Sequence, residues 1–268
     1  MKALMLHSEN SAVGKYRIWT PAKYLQKLGW EVSRIPDEAK RIPIDKGYSG
    51  DDPELLESAK TIGSWEELSK GADIIVMQRP DQPESIALAM ALREQCKAPL
   101  VFEVDDNIYD VAENSTSYKY WYPGSPLFKI AETLMSNADA ITVSTPALVE
   151  VYKHLNPNIY VLPNYQDPED WVNVETPKKT DDIIIGWAGS STHYDDLNMV
   201  KQVIKKVLRN HKNVKFKILG MNPDYLHDIE RVEIATSFST IQKWPQRLAD
   251  LNFDIGICPV INRPFNDG

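Results

Sequence analysis

Cysteine and long apolar runs are both scarce in this chain of 268 residues. Its 2 cysteines, Cys96 and Cys258, lie far apart, so they form neither a disulfide framework nor a metal-binding cluster. No apolar run approaches the roughly 20 residues that a membrane span requires. The apolar stretch at the start of the chain is shorter than the core of a signal peptide. The sequence therefore predicts a cytoplasmic protein without a transmembrane segment.

Positive charge is also in short supply. The chain carries 30 lysines and arginines against 38 aspartates and glutamates, which gives a formal net charge of −8. Binding to a nucleic-acid backbone needs concentrated positive charge, so no nucleic-acid partner is expected. The sequence also lacks the spacings of a P-loop, of a serine-hydrolase elbow and of a zinc-protease helix, and nothing in it predicts a bound metal.

The sequence does contain a regular alternation of short apolar strands and helices. In the first part, the predicted strands cover residues 2–7, 30–35, 73–77, 99–104, 140–143 and 159–162, and the predicted helices cover 15–28, 84–95, 126–138 and 146–154. This alternation is typical of a parallel sheet with helices on both faces. The polar stretch 36–71 has no clear period and is predicted to be an irregular insertion.

The same scheme restarts in the second part of the chain. Strands are predicted at 183–187, 214–219 and 254–258, and helices around 200–208 and 241–251. The lysines that alternate within 214–219 indicate an exposed face or a sheet edge. We therefore predict an α/β protein with two Rossmann-like domains, residues 1–165 and 183–268, joined by a linker at 166–182. With only about three strands, the second domain is predicted to be incomplete.

Polar side chains follow several of the predicted strands in the first domain, at the ends where open α/β sheets bind ligands. Gly14 permits a close approach of the backbone, and Lys15 and Arg17 offer positive charge to a phosphate; the alternative is a flexible loop with solvated bases. Asp105 and Asp106 come directly after the fourth predicted strand. Such carboxylates bind a metal ion or sugar hydroxyls, act as a base, or serve a structural role by capping a helix or pairing with an arginine.

The second domain has a similar set of candidates. Gly189 allows a tight turn, Ser190 adds a hydroxyl beside the free N–H groups of a helix start, and His193 is placed to contact a phosphate or a sugar. Asp195 or Asp196 is predicted to cap the following helix. Arg263 comes after the last predicted strand and is expected to meet a diphosphate from the opposite side.

Taken in order along the chain, six strings resemble the GT-B fold glycosyltransferases, in particular the retaining group that uses nucleotide-activated sugars: GKYRIWTPAKYLQKLGWEV, FEVDDNIYD, ADAITVSTPALVEVY, YVLPNYQD, IIIGWAGSSTHYDDL and FDIGICPVINRPFNDG. The resemblance implies two Rossmann-like domains that face each other across a cleft, with the nucleotide-sugar held mainly by the C-terminal domain and the acceptor by the N-terminal one. It also implies that Gly14 faces the donor phosphate, that Asn164 and Arg263 lie near the interdomain edge, and that no metal is bound.

This chain also departs from the family pattern. Serines, a threonine and His193 stand where many members have an arginine and a lysine, and the family's acidic donor-binding motif would lie beyond Gly268, so a chain that ends there is expected to lack it. The resemblance predicts a glycosyltransferase with a nucleoside diphosphate sugar as donor, an unknown acceptor and no cofactor, and Asp105 and Asp106 are its candidate catalytic residues. The alternatives are a non-catalytic nucleotide- or sugar-binding protein and a GT-B nucleotide-sugar epimerase.

Overall fold

The computed structural model describes residues 1–6, 12–35, 69–79, 85–113, 115, 118–235 and 241–267. Most of the predicted insertion at 36–71 and part of the loop before Gly14 lie outside the described residues. Within the described residues, none of the helices combines the length and the apolar character needed to cross a membrane.

The chain forms two compact units. Unit 1 comprises Met1–Asn107 and Pro123–Tyr165, and unit 2 comprises Ile108–Tyr122 and Gln166–Asp267. Each unit is built around its own parallel sheet.

Unit 1 contains a six-stranded parallel sheet in the order β2-β1-β3-β4-β5-β6. Its strands are β1 (Lys2–Leu6), β2 (Glu31–Ile35), β3 (Ile74–Gln78), β4 (Leu100–Val104), β5 (Ala140–Val143) and β6 (Ile159–Val161). Its helices are α1 (Ala12–Gly14), a π-helical segment (Lys15–Trp19), α2 (Thr20–Lys27), α3 (Ser85–Cys96), α5 (Pro126–Asn137) and α6 (Pro146–Tyr152). The short helix α4 (Tyr118–Trp121) lies between α3 and α5 in the sequence but belongs to unit 2.

The sequence explains why these elements form where they do. Leu4, Ile75 and Phe102 of the central strands are at most 1% exposed, and the burial of such apolar side chains drives the packing of the sheet. Helix α6 begins after Thr145, whose side chain accepts a hydrogen bond from the backbone N–H of Leu148, and a proline occupies its first turn. The helix therefore begins within three residues of the end of β5, and Ser144 and Thr145 lie at the carboxyl end of that strand.

Unit 2 contains a four-stranded parallel sheet in the order β10-β7-β8-β9. Its strands are β7 (Ile183–Ala188), β8 (Val214–Leu219), β9 (Val232–Ala235) and β10 (Ile255–Gly256), and its other helices are α7 (Tyr194–Met199), α8 (Lys201–Asn210) and α9 (Trp244–Asp250). The side chains of Trp187, Leu197 and Phe216 lie in one buried apolar cluster between the sheet and the helices.

Two expectations for this sheet need correction. The described residues contain four strands in unit 2 rather than about three, because the short strand β9 was not recognised. Strand β8 lies between β7 and β9, so the prediction of a sheet edge at its lysines is wrong. Lys215 instead contacts Asp182 at 2.8 Å and Lys217 contacts Glu233 at 3.4 Å, as expected for the solvent-facing side of an interior strand.

Candidate functional site

Each sheet has a point where the strand order reverses. In unit 2, the chain passes from β7 to β8 on one side, whereas β10 pairs with β7 on the other. The loops after β7 and β10 therefore leave neighbouring strands in opposite directions, and ligands of open α/β sheets bind in the crevice that such loops create. In unit 1 the reversal lies between β1 and β3.

The loop after β7 carries three of the residues predicted from the sequence. Gly189 donates its N–H to the carbonyl of Leu219 at 3.0 Å. A Cβ at this position would lie 2.7 Å from the ring of Trp187, so the residue is glycine because the indole leaves no room for a side chain. Ser190 is exposed, and its hydroxyl lies 2.5 Å from that of Thr192 at the start of the helical turn that leads to His193.

His193 is held by a buried carboxylate. Its Nδ1 lies 2.8 Å from Asp196 Oδ2, and the exposed fractions of the two side chains are 42% and 2%. The other oxygen of Asp196 accepts hydrogen bonds from the N–H of Ile261 at 2.8 Å and from Asn266 Nδ2 at 3.0 Å. Burial alone would raise the pKa of Asp196, but these hydrogen bonds and the one from His193 outweigh it and hold the pKa below its usual value.

Asp196 thus connects the loop after β7 to the loop after β10. The prediction that it caps a helix is replaced by a different role, because its carboxylate bonds a histidine and a second loop. Sequence reasoning missed both this role and that of Asn266. The spacing of three residues between a histidine and an aspartate at a helix start is the signal that could have indicated the pair.

Arg263 lies in the loop after β10. Its guanidinium stands over the ring of Phe265, with Cζ 5.1 Å from the ring centroid, and its carbonyl accepts the N–H of Asn266 at 2.9 Å. Within the described part of the chain, Arg263 Nε is buried and has no hydrogen-bond partner. The structure therefore places Arg263 on a loop that Asp196 fastens to the loop of His193.

In unit 1, the positively charged residues are placed differently from the expectation. Gly14 lies inside a helix, with φ −56° and ψ −41°, and not in a loop. Lys15 and Arg17 are only 8% and 1% exposed. The alternative of a flexible loop with solvated bases is therefore wrong, and burial also argues against a direct contact between Arg17 and a ligand.

Arg17 instead forms hydrogen bonds in the interior of the unit. Its Nε donates to Glu103 Oε1 at 2.5 Å, and Nη1 donates to the carbonyl of Leu162 and to Asn164 Oδ1, the latter at 3.1 Å. Two predicted site residues, Arg17 and Asn164, are thus brought together, and they hold the chain that follows β6. Burial, with a smaller contribution from Asp105, raises the pKa of Glu103 to about 8 despite Arg17.

Asp105 and Asp106 lie directly after β4. The carbonyl of Asp105 accepts the hydroxyl of Ser144 at 3.0 Å, and that of Asp106 accepts the hydroxyl of Tyr152 at 2.5 Å, so both backbones are fixed. Arg79 at the end of β3 donates to Asp106 Oδ2 at 3.0 Å. Burial, with Asp106 beside it, raises the pKa of Asp105 to about 6 against the opposing effect of Arg79.

Arg79 is the residue of this cluster that sequence reasoning missed, although it lies only two residues after the end of the predicted strand 73–77. The arginine-pairing alternative applies to Asp106. Among the described residues, no three or more histidine, cysteine, aspartate or glutamate side chains are grouped so that they could hold a metal ion.

Comparisons with known proteins agree with this architecture. The structure of a protein from Listeria monocytogenes, provisionally described as a UDP-N-acetylglucosamine 2-epimerase, is similar to this one with a TM-score of 0.55 and 13% sequence identity. The similar region covers 92% of this chain and 71% of the Listeria chain. A glycosyltransferase from Rickettsia africae is similar over 91% of this chain and 70% of the Rickettsia chain, with 14% sequence identity and a TM-score of 0.53. No family model and no curated protein matches the sequence.

These similarities concern the fold. The chain has the GT-B fold, and the predicted α/β class with two Rossmann-like sheets is confirmed. The domain boundaries, the cleft and the roles of the site residues stay predictions.

Proposed function

Starting from the GT-B fold, we propose that this protein is an enzyme that transfers a sugar from a nucleoside diphosphate sugar to an acceptor hydroxyl. The observation that carries the proposal is the pair of loops at the strand reversal of unit 2. One loop carries Gly189, Ser190 and His193, the other carries Arg263, and Asp196 joins them by hydrogen bonds from Ile261 and Asn266.

The chemistry of these loops suits a diphosphate. Phosphate oxygens only accept hydrogen bonds, and the side chains of Ser190, His193 and Arg263 are all able to donate them. A guanidinium also matches the geometry of two phosphate oxygens. Because the leaving diphosphate carries negative charge in the transition state, fixed positive groups at this point lower the barrier, and the proposed reaction needs no metal.

The carboxylates of unit 1 are proposed to contact hydroxyl groups. Asp105 and Asp106 are held by their backbones, so their side chains have a fixed position from which to accept hydrogen bonds from a sugar or an acceptor. An Asp105 with a pKa of about 6 is also suited to exchange protons near neutral pH. Gly14 and Lys15 stay proposed donor contacts, whereas Arg17 and Asn164 are proposed to support the chain after β6.

A nucleotide-sugar epimerase is the second candidate. Epimerisation at a carbon bearing hydrogen requires a group that removes and returns a proton, and His193 with its buried carboxylate has the arrangement of a histidine base. The similarity to the Listeria protein supports this candidate as far as a shared fold can.

The test is to incubate the full chain with UDP-, GDP- and ADP-sugars and to measure nucleotide release with and without candidate acceptor alcohols. Acceptor-dependent release supports the transferase, and interconversion of sugar epimers supports the epimerase. Binding without turnover, detected as a rise in the melting temperature, would indicate a non-catalytic binding protein.

A matched pair of arginine variants tests the site itself. Arg263→Gln should reduce the ligand-induced rise in melting temperature, whereas Arg209→Gln, on the exposed surface of α8, should leave it unchanged. Equal effects of the two variants would contradict the proposed diphosphate site.

A further inference from the structure

The hydrogen bonds of Asp196 determine which nitrogen of His193 carries a proton. Asp196 accepts from Ile261 N–H, from Asn266 Nδ2 and, on its second oxygen, from the ring of His193. Since its pKa is lowered, the carboxylate is ionised near neutral pH and can only accept hydrogen bonds. The proton between the two groups therefore belongs to His193 Nδ1.

The second ring nitrogen is the one available to a ligand. The side chain of His193 is 42% exposed, and its Nδ1 is engaged with Asp196. In the neutral ring, Nε2 is then a hydrogen-bond acceptor, and in the charged ring it is a donor. A phosphate oxygen, which is itself an acceptor, can bind only the charged form.

Resting on the proposed function, we infer that His193 binds the diphosphate of the nucleotide-sugar as an imidazolium through Nε2–H, with Asp196 as its positioning residue, so that ligand binding is coupled to the uptake of a proton. In this inference Asp196 touches no ligand. It fixes the ring orientation and stabilises the charge that appears on the ring when Nε2 is protonated.

The other charged groups of the surrounding loops either favour or oppose a positive charge on the ring of His193. Asp196, in contact with the ring at 2.8 Å, favours a positive ring, and Asp195 lies beside it in the first turn of α7. Arg263 in the loop after β10 opposes that charge. A bound diphosphate adds negative charge and therefore shifts the balance toward the imidazolium.

Linkage gives the sign of the pH effect. Because the complex holds one proton more than the free protein, affinity falls as the pH rises, by at most about tenfold per pH unit. The diphosphate of a nucleotide-sugar is a diester without a titrating group near neutral pH, so this dependence comes from the protein.

The experiment is a calorimetric titration of the full chain with UDP-glucose, GDP-glucose and ADP-glucose between about pH 6 and pH 8.5, in buffers with different enthalpies of ionisation. Wild type is expected to take up a proton on binding and to lose affinity as the pH rises. His193→Gln should bind more weakly at low pH, with less proton uptake and a weaker pH dependence than wild type; the part that remains belongs to Asp105, a proposed sugar contact with a pKa of about 6. His154→Gln, a histidine on the surface of unit 1, is the matched control and should behave as wild type.

Asp196→Asn tests the positioning role. It should keep some binding but need a lower pH to reach it, because the amide stabilises the imidazolium less than the carboxylate does; circular dichroism checks that the variant folds. Binding by wild type without proton uptake would overturn the inference and leave the proposed function standing. Failure of wild type to bind any of the three sugars would overturn both.

Discussion

Replacing Glu103 by glutamine should change how the stability of the protein depends on pH. Both Arg17 and Glu103 are 1% exposed and in contact at 2.5 Å. Burial, then the charge of Asp105, raises the pKa of Glu103 from its ordinary 4.5 to about 8, and the attraction of Arg17 only partly offsets this. The folded protein therefore holds a proton on Glu103 over a pH range in which the unfolded chain has lost it.

The sign and size of the effect follow from that difference. A pKa raised by folding contributes stability that is complete below pH 4.5 and is lost as the pH rises toward about 8. Since a single proton is involved, the free energy of unfolding falls by at most about 1.4 kcal/mol per pH unit, or on the order of 5 kcal/mol over the whole window. Glutamine resembles the protonated carboxyl and does not titrate, so Glu103→Gln should remove this contribution.

The assay is urea denaturation followed by tryptophan fluorescence, for wild type and Glu103→Gln, at several values between about pH 5 and pH 8. Near pH 5 the two proteins should be similar in stability, and toward pH 8 the variant should become the more stable. Glu150→Gln, which removes an exposed ion pair with Lys153, is the control and should follow wild type at every pH. A constant difference between wild type and Glu103→Gln across this range would refute the reasoning.

Three further changes should affect stability in ways that a thermal melt can measure. Gly189→Ala places a Cβ 2.7 Å from the ring of Trp187 and should cost about 1–3 kcal/mol, whereas Gly256→Ala, with no atom within 4 Å, should cost much less; equal losses would contradict the steric explanation. Thr145→Ala removes the cap of α6 and should cost about 1 kcal/mol, which Thr145→Ser should largely restore. Arg231→Met should cost roughly 2–3 kcal/mol, because the loss of the guanidinium leaves carbonyl acceptors unpaired, and an unchanged melting temperature would contradict this. The guanidinium donates to the carbonyls of four residues: Leu208, His211, Lys212 and Val214.

The parallel sheets could be predicted because most of their strands are short, mainly apolar strings that bury at least one face. For β5 and β8 the predicted and observed bounds agree: Ala140–Val143 and Val214–Leu219. Strand β9 could not be predicted in the same way. Its residues Val232–Ala235 are half-buried or exposed, so the string carries little of the apolar signal that marks the other strands.

The candidate site was predicted in part for a similar reason. A residue that follows an apolar strand, such as His193 or Asp106, can be placed at the carboxyl edge from the sequence alone. Its partner cannot, because Asn266 is 70 residues from Asp196, and Glu103 is 86 residues from Arg17. Only the fold shows which of these side chains are partners.

That pairing decides where positive charge is available for a ligand. From sequence, Arg17 and Arg263 are equivalent, since each lies in a polar string near the end of a strand. In the structure, Arg17 is paired with Glu103 and Arg79 with Asp106. Arg263, by contrast, forms no ion pair with any described residue, and its guanidinium rests on Phe265. Arg17 is 1% exposed and so out of reach of a ligand, and Arg79 is paired with Asp106, whereas the guanidinium of Arg263 keeps its charge available to an anion. For this reason we propose that the diphosphate contacts Arg263 in unit 2, where His193 also lies, rather than Arg17 or Arg79.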